Sequence, residues 1–76
     1  MNDATVLDLT GLLCPLPVLR TQKVLRSLPT GAELTVLATD PGAVRDFAAF
    51  AEAGGHALLE SSVADGVYRF RLRKCG

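Results

Sequence analysis

The chain has 76 residues, eight of them Lys or Arg and eight Asp or Glu, so its formal net charge is zero. That length confines it to one domain, residues 1–76, with no room for a second core. Balanced charge argues against a protein whose main work is gripping a phosphate backbone, which needs a basic excess, and no apolar run approaches the roughly 20 residues of a bilayer-spanning helix.

The first element is a short strand pattern, Val6-Leu7-Asp8-Leu9, ended by Thr10-Gly11. Pro15 to Leu28 reads as a helix, stopped by Pro29-Thr30-Gly31. Leu34 to Thr39 is a second strand. Asp40-Pro41 opens a second helix, with Asp40 as the expected N-cap and Pro41 at the first helical position, and Gly54-Gly55 closes it. His56 to Val63 is a third strand, Ala64-Asp65-Gly66 a tight turn, and Val67 to Arg73 a fourth strand. In that last strand Tyr68, Phe70 and Leu72 alternate with Arg69, Arg71 and Arg73.

The order β-α-β-α-β-β makes the first two strands parallel, because a helix joins them, and the last two an antiparallel hairpin. Two helices cannot cover both faces of a four-stranded sheet. The expected fold is therefore α+β: a two-layer sandwich with a mixed four-stranded sheet, both helices on one face and the arginine stripe on the wet one. With only Phe47, Phe50, Phe70 and Tyr68 as aromatics, the core must rest largely on Val, Leu and Ala.

The start of the chain, Met1-Asn2-Asp3-Ala4-Thr5, has no positive segment followed by an apolar one, so a cytoplasmic location with reduced thiols is expected. Two cysteines, Cys14 and Cys75, make no disulfide framework. With His56 as the only histidine they make no four-ligand zinc site either. No metal and no cofactor is expected.

Chemistry concentrates at Gly11-Leu12-Leu13-Cys14-Pro15-Leu16-Pro17. Prolines are tolerated in a first helical turn, whose N–H groups lack intrahelical partners. Pro15 and Pro17 thus fix a helix start and put Cys14 at the expected N-cap, close to the positive end of the helix dipole and to the N–H groups of Leu16 and Val18. An anion gains about 0.3–1 kcal/mol at such a place, which favours the thiolate and would favour a persulfide anion equally. The duller reading is a buried structural cysteine. Along the helix, Pro17, Val18, Thr21, Val24, Leu25 and Leu28 share a core face. Leu16 and Leu19 fall outside it, beside Arg20, Lys23 and Arg26, a combination suited to docking an acidic protein partner.

These elements together resemble the TusA-type sulfur-carrier family. The matching segments are Leu7-Asp8-Leu9, Gly11-Leu12, Cys14-Pro15-Leu16-Pro17, Gly31-Ala32-Glu33-Leu34, Thr39-Asp40-Pro41-Gly42, Asp46-Phe47 and Gly55-His56. The resemblance implies the same two-layer fold, similar to the C-terminal domain of a bacterial translation initiation factor. It also implies that Cys14 accepts sulfane sulfur from a cysteine desulfurase or a rhodanese and hands it to an acceptor protein, in tRNA thiolation, molybdenum-cofactor or sulfur-oxidation routes. Leu13 and Leu16 stand where some members carry a basic and an acidic residue. The expected protein is a monomeric carrier acting with a sulfur donor and a sulfur acceptor, without membrane or direct nucleic-acid contact.

Two rival readings use other residues. Arg69, Arg71, Arg73 and Lys74 could form a basic strand face for a non-catalytic RNA- or protein-binding regulator, with Cys14 structural. Cys75 could resolve a modified Cys14 as a disulfide in a redox partner.

Overall fold

The computed structural model describes residues 5–13 and 15–75. Six elements follow the expected order: β1 (Thr5–Asp8), α1 (Leu16–Arg26), β2 (Glu33–Ala38), α2 (Ala43–Gly54), β3 (Ala57–Ala64) and β4 (Val67–Arg73). The four strands form one mixed sheet in the order β1-β2-β4-β3. β1 runs parallel to β2, and β4 lies antiparallel between β2 and β3. No helix among the described residues is long and apolar enough to cross a membrane.

The α+β two-layer reading holds, and the register shows why. Leu34 pairs with Leu72 and Val36 with Phe70, so both strands turn their apolar residues to the same face. Onto that face α1 lays Pro17, Thr21 and Leu25, and α2 lays Ala43, Phe47 and Ala51, each set spaced by one helical turn. Phe47 and Phe70 stack with ring centroids 4.6 Å apart at the centre, both fully buried. Val18, Val24 and Leu28 pack at the margin of this core.

The hairpin turn is Asp65-Gly66, both at positive φ (52° and 78°), the pairing that a two-residue turn between twisted strands requires. A bulge between Leu58 and Glu60 shifts the β3 register against β4.

Both helices begin later than the sequence suggests. For α2 the expected cap was Asp40, but the N-cap is Gly42. The Asp40 carboxylate accepts the Gly42 N–H (3.2 Å) and its carbonyl accepts the Ala43 N–H (2.9 Å). An aspartate that bonds its own backbone two residues on builds a turn, and the helix starts only after it. For α1 the N-cap is Pro15, not Cys14, and Leu16 is the first helical residue. Pro15 has no N–H to give an intrahelical bond, and the first full-turn bond runs from the Leu19 N–H to the Pro15 carbonyl (3.2 Å). At the other end, the residue before a proline is pushed towards extended backbone, which ends α1 before Leu28, the neighbour of Pro29; Ser27 and Leu28 instead donate their N–H groups to Val24 and Leu25.

Candidate functional site

Because β1 and β2 are parallel and each is followed by a helix, the N-terminal ends of α1 and α2 open at the same end of the sheet, beyond the carboxyl ends of those strands. That end is where open α/β sheets characteristically place their chemistry. The loop leading to Cys14 is built there by a short series of backbone bonds. Leu9 donates its N–H to the Leu37 carbonyl (2.8 Å), continuing the β1–β2 pairing, and Leu12 donates to Leu9 (3.2 Å). The Asp8 carboxylate accepts from both the N–H (3.0 Å) and the hydroxyl (2.8 Å) of Thr10. Those two bonds hold its carboxyl below the usual carboxylate range. Gly11, at φ +86°, turns the chain and donates its N–H to the Thr39 hydroxyl (2.8 Å). The loop after β1 is thereby tied to the loop after β2.

Cys14 itself lies outside the described residues. Its neighbours Leu13 and Pro15 do not. Leu13 is exposed, and its carbonyl accepts the Leu16 N–H (2.9 Å). One of the two N–H groups expected to serve an anion at Cys14 is therefore already engaged. Pro15 caps α1 and Pro17 occupies its first turn, which contains no acidic residue. The positive end of the α1 dipole is left without a carboxylate of its own, whereas α2 carries Asp46 in its first turn.

Leu13, Leu16 and Leu19 are 71%, 44% and 52% exposed. Arg20, Lys23 and Arg26 are exposed on the same helix. The structure thus brings the five proposed docking residues together on the outer side of α1.

A sequence profile described as Sulfurtransferase TusA matches residues 5–74. The chain belongs to the TusA family. The sulfur carrier protein TusA of Allochromatium vinosum is 48% identical over 68 residues, covering 90% of each chain. A Neisseria meningitidis protein provisionally named a sulfur carrier is 56% identical over 68 residues, again with 90% of each chain covered. Among solved structures, a SirA-like protein from Desulfitobacterium hafniense superposes with a TM-score of 0.83 at 28% identity, covering 95% of this chain and 99% of that one.

The rival sites fare differently in this TusA fold. On the wet face, Arg71 pairs with Glu33 (3.5 Å) and Glu60 (3.7 Å), Arg69 with Glu60 (3.8 Å) and Arg73 with Glu33 (3.3 Å). Lys74 donates its ammonium to the Leu28 carbonyl (2.6 Å). The stripe that looked basic in sequence is a ladder of mixed charge, because the flanking strands bring two glutamates to it. Such exposed pairs add little stability, but they leave few free cations for a phosphate backbone. Cys75 lies beside the other end of α1, with its N–H on His56 Nδ1 (3.2 Å). The 11 residues of α1, roughly 16 Å of helix, separate this end from Pro15.

The loop anchors Asp8, Thr10 and Thr39 were missed in the sequence reading. Only the Asp-x-Thr-Gly spacing hinted at a turn, and nothing in sequence links Gly11 to Thr39. Gly11→Ala is expected to cost about 1–2 kcal/mol, since a Cβ is strained at this φ although nothing blocks its space. Chemical denaturation measures the loss. A variant as stable as the parent would show that Gly11 does not need its left-handed backbone.

Proposed function

We propose that Cys14 accepts sulfane sulfur from a donor protein as a persulfide and relays it to an acceptor protein. The Cys14 thiolate attacks the outer sulfur of the donor's persulfide. A new S–S bond forms on Cys14, the donor's S–S bond breaks, and the electron pair leaves on the donor's thiolate. The acceptor's thiolate then attacks the outer sulfur now on Cys14, and Cys14 leaves as thiolate. No net oxidation occurs and no cofactor enters. Donors of the desulfurase or rhodanese kind fit the first step. The acceptor decides whether the sulfur goes to tRNA thiolation, the molybdenum cofactor or sulfur oxidation.

One observation carries this reading: a sulfurtransferase profile spans residues 5–74, across a Cys-Pro-x-Pro segment that opens a helix free of first-turn carboxylates. The prolines fix the local backbone, and the dipole supports whichever sulfur anion Cys14 carries. Leu16, Leu19, Arg20, Lys23 and Arg26 form the landing surface for partners whose own surface is acidic.

Intact mass after incubation with a cysteine desulfurase and cysteine tests the proposal. A gain of one sulfur atom is expected, absent in Cys14→Ser and retained in Cys75→Ser. A gain that survives Cys14→Ser overturns the assignment.

A further inference from the structure

A cleft of about 360 Å³ opens where α1 and α2 end. Its walls are Gln22, Leu25, Arg26, Phe50, Gly54, His56 and Lys74. Two cations, a histidine and an amide line it, and no carboxylate does. Leu25 and Phe50 supply an apolar floor.

The histidine is held with some care. Its Nδ1 accepts the Cys75 N–H (3.2 Å), which leaves the ring proton of the neutral imidazole on Nε2. Its ring lies near that of Phe50, with centroids 5.7 Å apart. Gly54 makes room for it: a Cβ there would stand 2.8 Å from His56 Cδ2 and 2.9 Å from Nε2. Gly55, at φ +71°, is the residue that ends α2, so Gly54 is not needed for capping.

Helix ends attract cations, and that alone could explain Arg26 and Lys74. The final carbonyls, however, already have partners. Val24 and Leu25 accept from Ser27 and Leu28, and Ala51 and Glu52 accept from His56 and Gly55. Arg26 makes no ion pair among the described residues. The half-charges at the two helix ends offset only about one of these two positive charges, so the cleft keeps a cationic excess.

Phe50 also lines a second, apolar hollow with Pro15, Val18, Asp46 and Ala49. The two hollows share that ring, so the space between the helices runs from the residue following Cys14 to the cationic cleft. Both are shallow and open, unlike the enclosing pocket of a small ligand. We infer that this interhelical groove receives an extended segment of a partner protein, apolar where it passes Val18 and Phe50 and acidic where it reaches Arg26, His56 and Lys74. The inference rests on the partner-dependent function above and gives such partners a second point of contact, about one α1 length from Pro15. Arg26 serves both the outer face of α1 and the cleft.

Nuclear magnetic resonance titration of the full chain tests it without sulfur chemistry. The probe is an acetylated, amidated hexapeptide of apolar residues ending in two glutamates, beside the same peptide ending in two glutamines. The acidic peptide is expected to shift the amide signals of Gly54, His56 and Cys75, with at least about fivefold tighter binding than the glutamine peptide. Arg26→Glu should abolish the difference, and Arg45→Glu, the same charge change elsewhere, should not. Equal binding of the two peptides, or an unchanged Arg26→Glu, overturns the inference. So does phenylacetate binding as tightly as the peptide, which would make this a small-molecule site. The Cys14→Ser protein should bind alike, so failure here and failure of sulfur loading can be told apart.

Discussion

Phe47→Ala is expected to destabilise the protein by about 3–5 kcal/mol, the usual cost of deleting a buried ring. A domain of 76 residues has only about 4–11 kcal/mol at 0.05–0.15 kcal/mol per residue. The substitution should therefore remove a large share of the protein's stability. The ring is fully buried, stacks on Phe70 and joins α2 to the inner strand β4, and its removal leaves a cavity at the centre of the core. Phe47→Leu, which keeps most of the volume, should lose about 1.5 kcal/mol or less. Urea unfolding followed by circular dichroism measures both. A Phe47→Ala protein within 1 kcal/mol of the parent (about a fivefold change in the unfolded fraction) would mean that the helices hold the sheet by other contacts.

The second expectation concerns rate rather than stability. Reversing charge on α1 with Arg20→Glu and Lys23→Glu together should slow sulfur exchange with an acidic partner on the order of tenfold or more at low salt. The same pair should change folding stability by about 0.5 kcal/mol or less, since both side chains are exposed. The defect should fade as salt rises, because the screening length falls from about 10 Å at 0.1 M to about 3 Å at 1 M. Exchange rates measured across that range decide the matter. An unaltered rate at low salt would show that partners do not approach over this face.

The fold was legible because its apolar spacing and its punctuation agree. Alternation in Val67–Arg73 gave β4 to the residue, and the two glycines after Ala53 ended α2 as expected. Helix starts were less legible. Asp40 is a good cap by composition, but which of its two acceptors its neighbours use depends on the turn geometry. Cys14-Pro15 likewise suggests a cap at the cysteine, while the hydrogen-bond count begins with Leu19 donating to Pro15. The arginine stripe misled for another reason. Glu33 is distant in sequence, and for Glu60, on the neighbouring hairpin strand, the bulged register decides which arginine it meets. The exposed face of α1 was legible, since a helix needs only local spacing to sort its exposed side.

The strand order has a consequence for how the protein is made. β4 is the last strand in chain order, yet it is an inner one, hydrogen-bonded on both sides. Until Val67–Arg73 has been synthesised and released, β3 has no partner and Phe47 has no ring to stack on. Without Phe70 and Leu72 the core is incomplete, so a nascent chain stopping short of Val67 should cling to chaperones and be cut readily by proteases. Completion should come as one abrupt step when that strand slides between its neighbours.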